Sequence, residues 1–231
     1  MQSDLLLIIP AFNESKNIVD VVGKIVNETE YDYIIVNDGS YDNTSQICDK
    51  NDFDYVDYPI NLGLTSAFRG GIYYALRRNY KYAIQYDGDG QHDSAFISSM
   101  LRIAEETDAD IVIGSRYLNK KKGSSFRVLG SRILSFCIFL TTAKRITDPT
   151  SGMRLYNRRI MEILSNRKTF GPEPDTIAHL IRNGFKVVEA PVEMKERKSG
   201  SSYLNITNSI KYMLHMCFSI LVVELFRLKE K

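Results

Sequence analysis

Apolar positions along this chain alternate between two periods. Residues 5–9 (LLLII) form a continuous apolar run stopped by Pro10, the pattern of a strand buried on both faces. Ile18, Val21, Val22, Ile25 and Val26 follow at helical spacing. A second run, residues 33–36, ends in Asn37-Asp38-Gly39-Ser40, and residues 55–58 predict a weaker third strand. Phe68, Ile72, Ala75 and Leu76 share one face of a helix over residues 65–79. Residues 82–86 predict a fourth strand ending in Asp87-Gly88-Asp89-Gly90, residues 97–104 a helix, and residues 110–113 a fifth strand. This alternation predicts an α/β fold: a mainly parallel sheet with helices on both faces.

The last third changes character. Residues 119–125 (NKKKGSS) are a basic loop, residues 127–143 an apolar helix with a basic start, and residues 148–154 (DPTSGMR) a turn-rich loop. Residues 173–183 read as a helix ended by Gly184, residues 186–192 as a strand, and residues 196–202 (ERKSGSS) as a polar loop. The chain divides into an α/β domain, 1–204, and a C-terminal amphipathic helix, 205–231. In that helix Ile210, Met213, Leu214, Cys217, Leu221 and Leu225 share a stripe flanked by Lys211, Arg227, Lys229 and Lys231. The apolar stretches 133–143 and 213–226 fall short of the ~20 residues a bilayer span needs. The stripe predicts a helix lying in a membrane interface or against a partner, with core packing as the alternative.

Composition narrows the classes. Of 231 residues 44% are hydrophobic and 25% charged, so the chain is an ordinary globular one. Thirty Lys+Arg against 28 Asp+Glu leave a formal charge of +2, too balanced for a nucleic-acid binder. Cys48, Cys137 and Cys217 lie far apart, which excludes a disulfide framework and a structural zinc site and fits a reducing cytoplasm. No basic leader precedes the first strand, so secretion is not expected.

The chemistry gathers at strand ends, where open α/β sheets bind ligands. Asp87 and Asp89, two residues apart after a strand, can converge on a divalent cation, and hard oxygen ligands suit Mg²⁺ or Mn²⁺. Such a cation bridges the two phosphates of a nucleotide diphosphate. Alone, the same pair also reads as an acidic turn. Asp38 can accept a hydrogen bond from a base N–H, with Gly39 permitting close backbone approach. His92 alone reads as a structural histidine.

Seven blocks occur in order: Pro10-Ala11-Phe12-Asn13-Glu14, Asn37-Asp38-Gly39-Ser40, Asn61-x-Gly63-Leu64 with Arg69-Gly70, Asp87-x-Asp89-x-Gln91-His92, Gly114-Ser115-Arg116, Asp148-Pro-Thr-Ser151-Gly-Met-Arg154, and Arg197-x-x-Gly200-Ser201. In these blocks the chain resembles the family 2 glycosyltransferases of GT-A fold, and within them the dolichol-phosphate mannose synthase and polyprenyl-phosphate glycosyltransferase branch. The resemblance implies that Pro10, Ala11, Asn13 and Glu14 line the nucleotide pocket. It implies that Asp38 meets uracil or guanine, with Gly39 and Ser40 beside it, and that Gly63 and Arg69 shape the pocket floor. Asp87, Asp89 and Gln91 would hold the metal, and Arg197 and Ser201 would close over the donor phosphates. On the acceptor side, Arg116, Arg127 and Ser131 resemble lipid-phosphate ligands, and Ser151 and Arg154 stand in the turn beside them. Asp148 is the first candidate for catalytic carboxylate. Glu173 and Asp175 are rivals, with helix capping as their other role. Gly88 and Gly90 stand where the branch often has larger residues, which would loosen the metal loop.

The expected activity is inverting, metal-dependent transfer of a sugar from a UDP- or GDP-sugar to a polyprenyl phosphate or lipid-linked glycan. A hydroxyl acceptor in polysaccharide synthesis and a catalytically silent nucleotide-sugar-binding subunit are the alternatives. Nucleotidyl transfer is disfavoured, because Pro10–Glu14 lacks a glycine-rich basic loop. The expected setting is the cytoplasmic membrane face, with peripheral association and a small membrane subunit or a second copy as partner.

Overall fold

The computed structural model describes residues 3–119, 126–167, 170–194, 206–223 and 226, with backbone alone at 126, 127 and 206–208. Arg197, Ser201, Leu225, Arg227, Lys229, Lys231, most of the basic loop after Asn119 and the 204/205 boundary lie outside these residues, as does the Arg127 side chain.

Among the described residues, seven strands form one sheet in the order β3-β2-β1-β4-β6-β5-β7. These are β1 (Leu5–Ala11), β2 (Asp32–Asn37), β3 (Tyr55–Asp57), β4 (Tyr82–Gln85), β5 (Ile111–Ser115), β6 (Arg154–Asn157) and β7 (Val187–Pro191). β1 pairs in parallel with β2 and β4, β2 with β3, and β5 with β7. β6 is antiparallel to both β4 and β5.

The five-residue apolar run in β1 is explained by the period of two. Leu6 and Ile8 face one core; Leu5, Leu7 and Ile9 face the other. Beneath the second face pack α1 (Ile18–Glu28) and α4 (Ile97–Thr107). The first face carries α3 (Leu64–Arg77), α5 (Phe126–Thr142), α6 (Arg158–Asn166), α7 (Pro174–Arg182) and α8 (Ile206–Phe218). The short α2 (Thr44–Lys50) follows β2, and α8 continues as a π-helical turn, Ser219–Val223.

Two helices depart from simple amphipathicity. α5 buries Leu134, Cys137 and Ile138 but exposes Leu129, Ile133, Phe136, Phe139 and Leu140. α8 sends Met213, Met216 and Cys217 toward the core while Ile210, Leu214 and Phe218 stay exposed. The single stripe expected for α8 is therefore split, with Met213 and Cys217 packing inward. No helix among the described residues is long and apolar enough to cross a membrane.

Candidate active site

The antiparallel β6 explains how distant blocks meet. β1, β2, β4 and β5 end at the same sheet edge, and β6, running the other way, begins there. The loop before β6, containing Asp148, Ser151 and Gly152, is thus delivered beside the acidic turn after β4.

Asp38, buried after β2, fastens its own loop. Its Oδ1 accepts the Leu62 N–H and its Oδ2 the Gly63 N–H, both at 2.8 Å. Its backbone N–H donates to Ala11 O, which joins the first two blocks. Gly39 has φ +64°, and a Cβ there would lie 2.3 Å from Ile60 C, so only glycine fits. Asn13, with φ 57°, closes the ring: its N–H donates to Ser40 Oγ (2.8 Å) and its Oδ1 accepts the Tyr41 N–H (2.9 Å). The ring edge of Phe12 meets Tyr41 at 5.8 Å. Glu14 is tied in through its N–H to Thr44 Oγ1 and its carboxylate to Asn17.

The acidic turn packs against the first block. A Cβ on Gly88 would lie 3.1 Å from Pro10 O, so glycine there serves close approach rather than looseness. Asp87 Oδ1 accepts from Gln85 Nε2 (2.9 Å), and Asp89 Oδ1 accepts the Gln91 N–H (3.0 Å). Gly152 touches the same Asp87 carboxylate: a Cβ there would lie 2.5 Å from Asp87 Oδ2. No three His, Cys, Asp or Glu converge among the described residues. Two oxygen-bearing side chains in an open turn nevertheless suit Mg²⁺ or Mn²⁺, which take one or two carboxylates and complete their shell with phosphates and water.

Among the residues expected on the acceptor side, Asp148 is fully buried. It accepts from Arg116 Nε (2.7 Å), Nη2 (2.8 Å) and backbone N–H (3.1 Å), and from Thr150 Oγ1 (3.2 Å). Burial opposes the charge on Arg116, but hydrogen bonding and attraction to Asp148 raise its pKa above the ordinary arginine value. Glu189 fixes the strap by accepting the Thr147 and Asp148 N–H groups. This geometry does not suit Asp148 to the role of general base: it has no exposed surface and its oxygens are occupied. It orients Arg116 instead.

The two rivals are also engaged. Glu173 accepts from Tyr212 Oη of α8, and Asp175 Oδ2 accepts from Ser219 Oγ (2.6 Å). Burial, then the charge of Glu173 and this hydrogen bond, raise the Tyr212 phenol above its ordinary value, so it stays a donor. Arg154, buried at the start of β6, donates to Ser151 O (2.9 Å), Pro149 O (2.6 Å) and Glu173 O (3.4 Å). It braces the loop from inside and does not reach solvent. Arg69 stands apart: its guanidinium donates to Leu164 O and Ser165 O at the end of α6. The expected place of Arg69 in the pocket floor is thus not met, because α6, unforeseen in the sequence, takes the side chain. Ser131 is buried on α5. Sequence reasoning does not find Tyr212, Ser219 or Gln85. Tyr212 and Ser219 come from a helix distant in sequence, and only their polarity on an apolar helix hints at partners.

Comparison with known proteins bears on the family and the fold. The family model described as glycosyl transferase family 2 matches residues 6–164, more than half of the chain. The polyprenol monophosphomannose synthase of Mycolicibacterium smegmatis is 32% identical over 88% of this chain and 82% of its own length. The UDP-N-acetylglucosamine–dolichyl-phosphate N-acetylglucosaminyltransferase of Methanococcus voltae is 27% identical over 82% of this chain and 84% of its own. Among solved structures, glucosyl-3-phosphoglycerate synthase from Mycobacterium tuberculosis in complex with Mn²⁺, UDP and phosphoglyceric acid superposes with a TM-score of 0.64. That match covers 92% of this chain and 78% of that one at 14% identity, a likeness of fold. The shared fold is GT-A, and with this extent of match the chain belongs to glycosyl transferase family 2, in the company of polyprenyl-phosphate glycosyltransferases.

Proposed function

We propose that this glycosyltransferase moves a sugar from a nucleoside-diphosphate sugar to a polyprenyl phosphate, with inversion, in one displacement. The bond from the sugar's anomeric carbon to the diphosphate breaks, an acceptor phosphate oxygen forms the new bond from the opposite face, and the nucleoside diphosphate leaves. Asp38, Asn13, Ser40 and Glu14 shape the nucleoside pocket. Asp87, Asp89 and Gln91 would hold Mg²⁺ or Mn²⁺, which when bound stabilises charge on the departing diphosphate.

One observation carries the choice of acceptor. Each candidate base already accepts hydrogen bonds: Asp148 from Arg116, Glu173 from Tyr212 and Asp175 from Ser219. A hydroxyl acceptor needs a base to take its proton. A phosphate is anionic at neutral pH and needs orientation and charge pairing instead. Arg116 offers that, since its Nη1 makes no hydrogen bond among the described residues and the side chain is 31% exposed. The relatives' names point the same way. The exposed apolar faces of α5 and α8 supply a peripheral membrane contact, which a lipid-linked acceptor requires.

Thermal shift with UDP- and GDP-sugars and Mn²⁺ tests the donor site, because a ligand that binds only the folded state stabilises it. The Asp89→Ala protein is expected to keep its own melting temperature and lose the Mn²⁺-dependent shift. Radiolabelled transfer to short-chain polyprenyl phosphate against the matching polyprenol tests the acceptor. Transfer to the alcohol alone would overturn the phosphate reading.

A further inference from the structure

Glu189, half-buried on β7 in register with Ile113 of β5, holds the strap that carries Asp148. Its two oxygens take different donors. Oε2 accepts the Thr147 N–H at 2.8 Å; Oε1 accepts the Asp148 N–H at 2.9 Å and the Thr147 hydroxyl at 2.8 Å. The Thr147 hydroxyl proton is thereby spent on the carboxylate, so the Ser115 hydroxyl, 2.7 Å away, donates to Thr147 Oγ1. Ser115 Oγ in turn accepts the Tyr117 N–H at 3.3 Å. A directed chain thus runs from Tyr117 through Ser115 and Thr147 to Glu189. Arg116 stands between its first two members, with its guanidinium carbon 5.3 Å from the centre of the Tyr117 ring. The strap holds Arg116 from the other side, through Asp148. Both holds on Arg116 therefore end on one carboxylate.

From this arrangement we propose that Glu189 is a positioning residue for the acceptor: it sets where the Arg116 guanidinium stands, and with it the affinity for the acceptor's phosphate. This rests on the reading of Arg116 as the phosphate's partner. Pairing a guanidinium with a phosphate depends on the placement of its planar fork, and a misplacement of about 1 Å costs about 100-fold. The carboxylate is needed for its two acceptors and not for its shape alone. An amide has one oxygen for two backbone N–H groups that now meet separate oxygens, so its own NH₂ must confront the N–H of Thr147 or of Asp148. A donor facing a donor is costly to hold, so the strap gives way and Arg116 moves with it.

Calorimetric titration with farnesyl phosphate, and with farnesol as its uncharged counterpart, tests this in the presence of Mn²⁺ and UDP or GDP. The variants are Glu189→Gln, Arg116→Lys and the two combined; lysine keeps a charge beside Asp148 but not the fork. Each single variant is expected to weaken farnesyl phosphate binding about tenfold or more and to leave farnesol and nucleotide affinity within about twofold. The double variant should fall within about threefold of the weaker single one, because both changes act through one guanidinium. No loss in Glu189→Gln, equal losses for phosphate and alcohol, or losses that multiply in the double variant would overturn the inference while the Arg116 reading stands. If the parent does not prefer the phosphate over the alcohol, or Arg116→Lys binds it like the parent, the Arg116 reading falls and the inference with it. Should Glu189→Gln fail to fold, Thr147→Val decides, since it cuts the chain at the hydroxyl and spares both backbone bonds. It is expected to weaken farnesyl phosphate binding about fivefold, and an unchanged affinity overturns the inference.

Discussion

Gly152→Ala is the smallest change that reaches the centre of the site. The added methyl would lie 2.5 Å from Asp87 Oδ2 and 3.3 Å from its Cγ. Non-bonded atoms are comfortable at about 3.5 Å, so the carboxylate must retreat by about 1 Å. Folding tolerates this. Gly152 does not have positive φ, and alanine at a compatible glycine stabilises by about 0.4–1 kcal/mol through the unfolded chain. Turning Asp87 off its rotamer costs about 0.5–1.5 kcal/mol, which roughly offsets that gain. Catalysis does not tolerate it. A misplacement of about 1 Å costs about 100-fold in rate, or about 2.7 kcal/mol in the transition state. Transfer rate as a function of Mn²⁺ concentration, beside the melting temperature, is the assay. The expected variant melts near the parent but requires more Mn²⁺ and turns over about 100-fold more slowly. An equally stable variant with parental kinetics would show that Asp87 Oδ2 has no part in the reaction.

Arg116→Met should destabilise by about 3–5 kcal/mol, because it strands the buried Asp148 charge, and Arg116→Met with Asp148→Asn should recover most of the loss. Denaturant midpoints check this, and a double variant as unstable as the single one would refute it. Phe136→Glu with Phe218→Glu changes two side chains that are 60% and 57% exposed, so folding stability should move by no more than about 1 kcal/mol. Each buried phenyl contributes roughly 1.5–3 kcal/mol, so sedimentation with anionic vesicles should fall at least about 100-fold while nucleotide binding persists.

The parts of the fold legible in sequence are those with a clean period. β1 reads as apolar along its whole length, and the helical faces of α1 and α3 are regular. α2 escapes the pattern because it buries only Thr44 and Cys48. β6 escapes it because Arg154–Asn157 spells RLYN: its burial rests on a guanidinium satisfied by carbonyls, which no periodicity reports. With β6 goes α6, and with α6 the true environment of Arg69. In the site, the blocks are legible as neighbours at one sheet edge. The role of each carboxylate is not, because Asp148, Glu173 and Asp175 are defined by partners 32, 39 and 44 residues away. His92 is legible as the structural histidine it is: buried, with its Nδ1 accepting the Asp87 N–H five residues back across the glycine-containing turn.

Helix phase ties the end of the site proposed for the acceptor to the exposed apolar surface. On α5, Ser131 is buried and Phe136 is exposed; on α8 and its π turn, Tyr212 and Ser219 reach the α7 carboxylates while Leu214 and Phe218 face outward. A π turn adds a residue to the helical repeat and so shifts the phase of the residues beyond it. Here Ser219 lies within that turn and points to Asp175 while Phe218, next to it, remains outside. One pair of helices therefore supplies both the inner polar contacts and the outer apolar face. The half proposed for the donor is built differently, from backbone N–H groups and glycines on parallel strand ends. The antiparallel β6 joins the halves, because the loop entering it carries both Asp148, which holds Arg116, and Gly152, which abuts Asp87.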